Sequence, residues 1–291
     1  MLYWKINSGV FFGFFMNRIT LNRLRKKQYD ANKINLKHNL WRIENDLNWI
    51  FKKDIENSLK TKICLYWLDI NLKNTFFPWV LKIERELKSY FVSFYKKRFS
   101  TNSALELLNQ ENYSDISNQK NPLKILIEKN IKEKSIDEVV FTLTFGEFVN
   151  LLIFFNDYIK TSIANELNLN LSIFINVIKY FIILRNAIAH NKTIIKIRDE
   201  KNNKRFSLKK DFFDFEISKQ DIDILSTNAS GSIYVVKIFL ERLDSKKKSS
   251  LFIKDVKKNL KIFNKTINNK HSYEQIINQI FLSHYKNILK I

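Results

Sequence analysis

From Leu169 to Ala189 the chain reads LNLSIFINVIKYFIILRNAIA, apolar at nearly every position around a helical wheel. A helix of that kind is buried on all sides, so the rest of the chain must form a shell around it. Asn168 and Asn170 stand where an N-cap is wanted. Only four glycines and two prolines occur in 291 residues, which predicts long helices and few tight turns. A hydrophobic content of 45% supplies ample core for one large domain or two small ones. The expected fold class is therefore mainly all-α, a helical bundle with further helices at both ends.

This helix ends on Leu184-Arg185-Asn186-Ala187-Ile188-Ala189-His190. At 3.6 residues per turn Asn186 and His190 share a face, while Arg185 sits about 140° around from His190. A single straight helix does not aim Arg185 and His190 at one phosphate. Either the helix unwinds after Ala189, or the pair works with a second copy of itself. The residue types are those that RNA cleavage without metal requires: a base for the 2′-hydroxyl, an acid for the leaving 5′-oxygen and a cation for the phosphorane. Histidine serves as acid or base near neutral pH, and arginine offers a permanently charged fork for phosphate oxygens. Arg185, Asn186 and His190 are thus the candidate catalytic set, and one histidine per motif points to a two-fold homodimer. The structural alternative is a helix end capped by Arg185 and Asn186, with His190 bonded to a backbone carbonyl.

The segment Arg185-Asn186-Ala187-Ile188-Ala189-His190 after a long apolar helix resembles the R-x4-6-H motif of HEPN domains. Leu143-Thr144-Phe145-Gly146-Glu147-Phe148 resembles the l-s/t-F-G-e-l segment of the Abi-like abortive-infection family, at a suitable distance before that family's LRNxxAH. Asn71-Leu72-Lys73 and Ile83-Glu84-Arg85-Glu86-Leu87-Lys88 are similar to its D-x-x-L-R and i-E-x-x-L-R helices. The resemblance covers roughly residues 60 to 245. It implies a metal-independent endoribonuclease of phage defence, with no cofactor, Glu84 neighbouring the site and homodimerisation through the HEPN core. It also admits a non-catalytic scaffold holding a structured noncoding RNA, and an RNA partner could keep a toxic nuclease quiet. Lys88 replaces the usual arginine, Asn71 a frequent acid, and Asn191 a common second histidine.

Fifty Lys and Arg against 29 Asp and Glu give a formal charge of +21, which attracts polyanions at long range. Nucleic acid is the natural partner, although Asn, Lys, Ile and Phe are all abundant, as AT-rich genomes favour, and that bias by itself raises lysine. The residues expected to bind RNA are Lys88, Lys96, Lys97, Arg98, Lys192, Lys254, Lys257, Lys258, Lys261 and Lys265. The last five line one face of a helix whose other face carries Ile253, Val256, Leu260 and Phe263.

Three regions follow: an N-terminal helical extension over 1–59, the Abi-like core over 60–245, and basic C-terminal helices over 246–291. Two helices are expected between Ser58 and Phe99, meeting near Pro78, with Trp79, Ile83, Leu87, Tyr90 and Phe94 as the core stripe. Residues 100–122 read as a loop or as a short helix flanked by loops, Ser135 as a helix start, Glu147–Leu167 as one helix and Ser232–Leu243 as another. Gly146 is expected to let a helix begin close to a neighbour. Alternation on either side of Asn202-Asn203 predicts a small β-hairpin beside His190, and Tyr273–Ile291 a final amphipathic helix. Cys64, the lone cysteine, reads as a buried spectator; His38, His271 and His284 lack metal-ligand spacing. Val10–Met16 is too short for a secretory core and no small-residue cleavage site follows it, so a cytoplasmic protein without a membrane span is expected.

Overall fold

The computed structural model describes residues 59–113, 122–129, 131–195, 207–214, 216–243, 246–267, 274 and 276–278. These are mainly helical, as expected, with no β-strand among them and two isolated bridges, Ser103 to Ser135 and Tyr113 to Phe155. Nine α-helices have both ends among the described residues: α1 (Leu59–Phe99), α2 (Pro122–Glu128), α3 (Ile136–Thr142), α4 (Phe145–Phe154), α5 (Asp157–Glu166), α6 (Leu171–Ala189), α7 (Lys219–Thr227), α8 (Ala229–Leu243) and α9 (Lys246–Ile267). Most of the N-terminal extension, the predicted hairpin and the last helix lie outside the described residues.

By compactness the chain divides in two: Phe76–Ile253 forms one unit, and α1 up to Thr75 belongs with α9 from Lys254 in the other. In the second of these, Val256, Leu260, Phe263 and Ile267 are buried on α9. Asn259 donates to the Asn71 carbonyl at 3.3 Å and to Thr75 Oγ1 at 2.7 Å. Asp69 and Lys73 form a buried ion pair of 2.7 Å, and Cys64 is buried as expected.

Pro78 does not separate two helices; α1 is one helix of 41 residues with the proline inside. Proline removes the bond to the carbonyl four residues back. The carbonyl that loses its bond is that of Asn74, a residue only partly buried, and Pro78 itself is exposed. The core stripe is also displaced from the expected one. Phe76, Val80, Ile83, Leu87, Phe91 and Tyr95 are buried, whereas Trp79, Tyr90 and Phe94 are half-buried at its edge.

In the Phe76–Ile253 unit α6 is the central element, and Phe181 meets Phe145 of α4 and Phe239 of α8, each at 5.6 Å between centroids. By length and composition α6 is the one described helix that could cross a membrane, yet half of the qualifying window is buried inside the protein. Asn170 caps it by accepting from Ile173 N at 2.8 Å. Asn168 is instead the left-handed residue that ends α5, at φ 51°. The single helix expected over Glu147–Leu167 is broken at Phe155 and Asn156. The Asn156 side chain accepts from Tyr158 N and starts α5 afresh, and Phe155 turns into an aromatic cluster with Phe91, Tyr95, Phe99 and Tyr113.

Close helix packing falls on Gly231, not on Gly146. A Cβ at Gly146 would meet nothing within 4 Å, whereas one at Gly231 would lie 1.9 Å from the Leu225 carbonyl oxygen. That approach lets α8 start against α7 and brings Ser232 to 3.0 Å from the buried Tyr180 hydroxyl of α6. Burial pushes that hydroxyl's pKa up despite the bond to Ser232.

Candidate functional site

The site begins on α1. Glu84 and Lys88 sit one turn apart and pair at 3.0 Å, both well shielded from solvent. The Lys88 ammonium also donates to the Leu143 carbonyl at 2.7 Å and lies 6.0 Å from the Phe148 ring centroid. Lys88, expected to meet RNA, is therefore buried and engaged inside the protein. A buried ammonium requires such partners, since an unpaired charge away from water is very costly.

Leu143–Phe148 presents these partners because it is a helix start. Thr144 is the N-cap of α4: its hydroxyl accepts from Glu147 N at 3.3 Å, while the Glu147 carboxylate accepts from Thr144 N at 2.7 Å. This reciprocal capping box fixes the direction in which the chain enters α4. Partial burial pushes the Glu147 carboxyl upward, but the bonds from Thr144 and the nearby Lys129 outweigh it and hold the pKa below the ordinary value. Ser135 and Glu138 form a second such box at the start of α3, where a helix start was predicted.

The third contribution comes from the end of α6. Arg185 Nε lies 3.6 Å from Glu84 Oε2, an oxygen that is buried and makes no hydrogen bond among the described residues. Arg185 Nη1 is 3.5 Å from Asn186 Oδ1. One carboxylate thus faces two cations, Lys88 on its own helix and Arg185 across from it. Arg185 is only 27% exposed at its side chain, so its charge is held at the boundary between protein and water.

His190 is the C-cap of α6 and is exposed. Its backbone N–H still donates to the Asn186 carbonyl at 2.9 Å, so α6 does not unwind before it. Asn191 then adopts φ 51°, and the Lys192 N–H reaches back to the Ala187 carbonyl at 2.7 Å. This is a Schellman ending with asparagine at its left-handed position. Beyond it, Ile194 and Ile195 are buried and the Ile195 carbonyl accepts from Ala229 N at 3.2 Å. The imidazole is therefore held on a short anchored turn. Among the described residues it bonds to neither Arg185 nor Glu84, and the two halves of the R-x4-H pair stay apart within one chain.

The other basic residues take varied positions. Lys96 pairs with Asp137 at 2.6 Å, Arg98 lies over the Tyr158 ring at 5.6 Å, and Lys97 is exposed. Lys192 is half-buried, whereas Lys254, Lys257, Lys258, Lys261 and Lys265 are all exposed. Among the described residues no group of three or more His, Cys, Asp or Glu side chains could hold a metal ion.

A family model for Abi-like proteins matches residues 32–196, more than half of the chain. The chain belongs to the Abi-like protein family. Membership carries the expectation of a part in abortive infection, the defence of bacteria against phage. No curated protein and no solved structure matches it.

The match ends shortly after Ile195, so it spans the segments that meet at Glu84. Two features escaped the sequence reading, one of them outside the site. The acid of the first D-x-x-L-R-like segment is Asp69, two places before Asn71, and it pairs with Lys73 at the same spacing as Glu84 with Lys88. The Leu143 carbonyl is the other; a backbone acceptor leaves no mark in the sequence.

Proposed function

We propose that this Abi-like protein acts in abortive infection by cutting RNA, as a metal-independent endoribonuclease of HEPN type that works as a two-fold dimer. The observation that carries the reading is the convergence of Glu84, Lys88, Leu143 and Arg185, with His190 exposed at the end of the same helix as Arg185. Glu84 orients the Arg185 guanidinium so that its outer edge can receive a phosphate oxygen. His190 supplies the proton transfer. In the composite site one His190 takes the 2′-hydroxyl proton and the partner copy's His190 protonates the 5′-oxygen. The 2′-oxygen forms a bond to phosphorus, the bond to the 5′-oxygen breaks, and the products carry a 2′,3′-cyclic phosphate and a 5′-hydroxyl. Asn186, on the His190 face, assists in holding the phosphate. A two-fold arrangement suits α6 because its helical geometry through His190 keeps Arg185 and His190 on different faces of one chain.

The test is incubation of the full chain with labelled RNA in excess chelator, beside Arg185→Ala and His190→Ala, with analysis of fragment lengths and 3′ ends. Cleavage to cyclic phosphate, lowered about 10²- to 10⁴-fold in each variant, is the expected result. The five exposed lysines of α9 favour one second reading, a scaffold that retains a structured noncoding RNA without cutting it. Intact RNA held alike by wild type and both variants would replace the first reading with that one. A noncoding RNA that protects labelled RNA from cleavage would identify it as the brake on a toxic nuclease.

A further inference from the structure

On α9, Lys254, Lys258, Lys261 and Lys265 follow one another at four, three and four residues, and all four are exposed. That spacing places them within about 60° of each other around the helix and along about 16 Å of its length. Lys257 borders the stripe and is exposed as well. The opposite face, with Val256, Leu260, Phe263 and Ile267, is buried, so α9 is packed by its apolar side and cannot turn its lysines inward.

A lysine-rich composition alone does not make such a face. Signs mix elsewhere on the surface: residues 209–219 set Asp211, Asp214 and Glu216 among Lys209, Lys210 and Lys219. From Lys254 to Ile267 the sole acid is Asp255. The exposed positions also include no aromatic residue, since Phe263 is buried.

We propose that this lysine stripe of α9 binds the phosphate backbone of double-helical RNA. A single strand is gripped through base stacking on aromatic side chains as well as through charge, and this face offers none. A duplex hides its bases and is recognised by shape and by contacts to its phosphates and 2′-hydroxyls. A straight row of ammonium groups on a rigid helix fits a rigid polyanion. The inference rests on the reading of the protein as one that acts on RNA, and it specifies the form of RNA held and the residues that hold it.

The experiment measures binding of the full chain to an RNA duplex of roughly 20 base pairs, longer than a small duplex-binding module covers, and to one of its single strands. Wild type is compared with Lys254→Gln/Lys258→Gln/Lys261→Gln/Lys265→Gln and with the four-fold Lys→Arg variant, each checked for an unchanged thermal transition. The Gln variant should lose at least about tenfold in duplex affinity, and its slope of log affinity against log salt should shrink by about 3. The Arg variant should keep both, which excludes a loss through misfolding. An unchanged duplex affinity and slope in the Gln variant would overturn the proposal. Equal losses on duplex and single strand would overturn its commitment to the double helix. His190→Ala separates it from the nuclease reading: if RNA is never cut yet duplex binding depends on the four lysines, only the nuclease reading fails.

Discussion

Glu84 gives one carboxylate to two cations, and the consequences for folding and for activity differ. Toward Lys88 it neutralises a buried ammonium at 3.0 Å; toward Arg185 it is a longer contact of 3.6 Å at the rim. Removing one member of a buried pair leaves the other charge uncompensated and costs about 3 kcal/mol, whereas replacing both with apolar side chains of similar size is often neutral. Glu84→Ala should therefore lower the unfolding free energy by about 3 kcal/mol in denaturant titrations. Glu84→Leu combined with Lys88→Met should recover most of that loss. The double variant still lacks the anchor for Arg185, so RNA cleavage should remain impaired in a folded protein. Equal stability of Glu84→Ala and wild type would mean that the pair is not buried in solution. At this scale the sequence was informative about residue types and silent about some of their reasons. Arg185, His190, Glu84 and Lys88 were all singled out, but Lys88 was read as a surface cation. Its burial depends on Leu143 and Phe148, some 55 residues away. Asn191 looked like a missing histidine; its φ of 51° shows a backbone requirement that asparagine meets better than a histidine or a branched residue would.

The short helices owe their boundaries to caps, and caps are legible when both partners are close in sequence. Ser135 with Glu138 and Thr144 with Glu147 share the three-residue spacing of a capping box, and both boxes form. The break at Asn156 was less legible because the apolar pattern of α4 runs on through Phe155; Tyr113, on a distant segment, draws that ring out of helical register. Thr144→Ala should cost about 1 kcal/mol, as losing an N-cap does. The partner Glu147 makes the box pH-dependent. Its folded-state pKa lies below the ordinary 4.5, so its contribution is fully present above about that pH and is lost as pH falls through the lower folded value. The stability difference between wild type and Glu147→Gln, read from denaturation midpoints, should therefore be largest near neutral pH and shrink below pH 4.5. A difference that stays constant from pH 7 to pH 3 would show that the carboxylate's charge contributes nothing to the cap.

The family match stops at residue 196, yet the compact unit around the site continues to Ile253. Helix α6 is expected from its sequence to be buried on all sides, but only one broad face from Ile173 to Ile188 is buried while Ser172, Lys179 and Ala189 are exposed, and part of the layer that covers the buried face lies beyond the match. Phe239 of α8 packs on Phe181, Ser232 meets Tyr180, and Arg242 donates to the carbonyls of Leu167 and Asn168, each at 3.1 Å, just ahead of α6. Ala229 also holds the turn that carries His190, through Ile195. Ile233, Val235, Val236 and Phe239 are all buried. Each such side chain contributes about 1.5–3 kcal/mol by its burial, and together with the α6 surface they cover they approach the whole net stability of a domain, about 5–15 kcal/mol. A chain ended after residue 196 should therefore retain the R-x4-H sequence and lose the fold. It should give no cooperative thermal transition and no RNA cleavage, while a chain ended after Ile253 should keep a cooperative transition. Cooperative melting of the shorter chain at the full-length temperature would show that α7 and α8 are appendages. Their burial and their grip on the turn that carries His190 make them part of the same compact unit as Arg185 and His190.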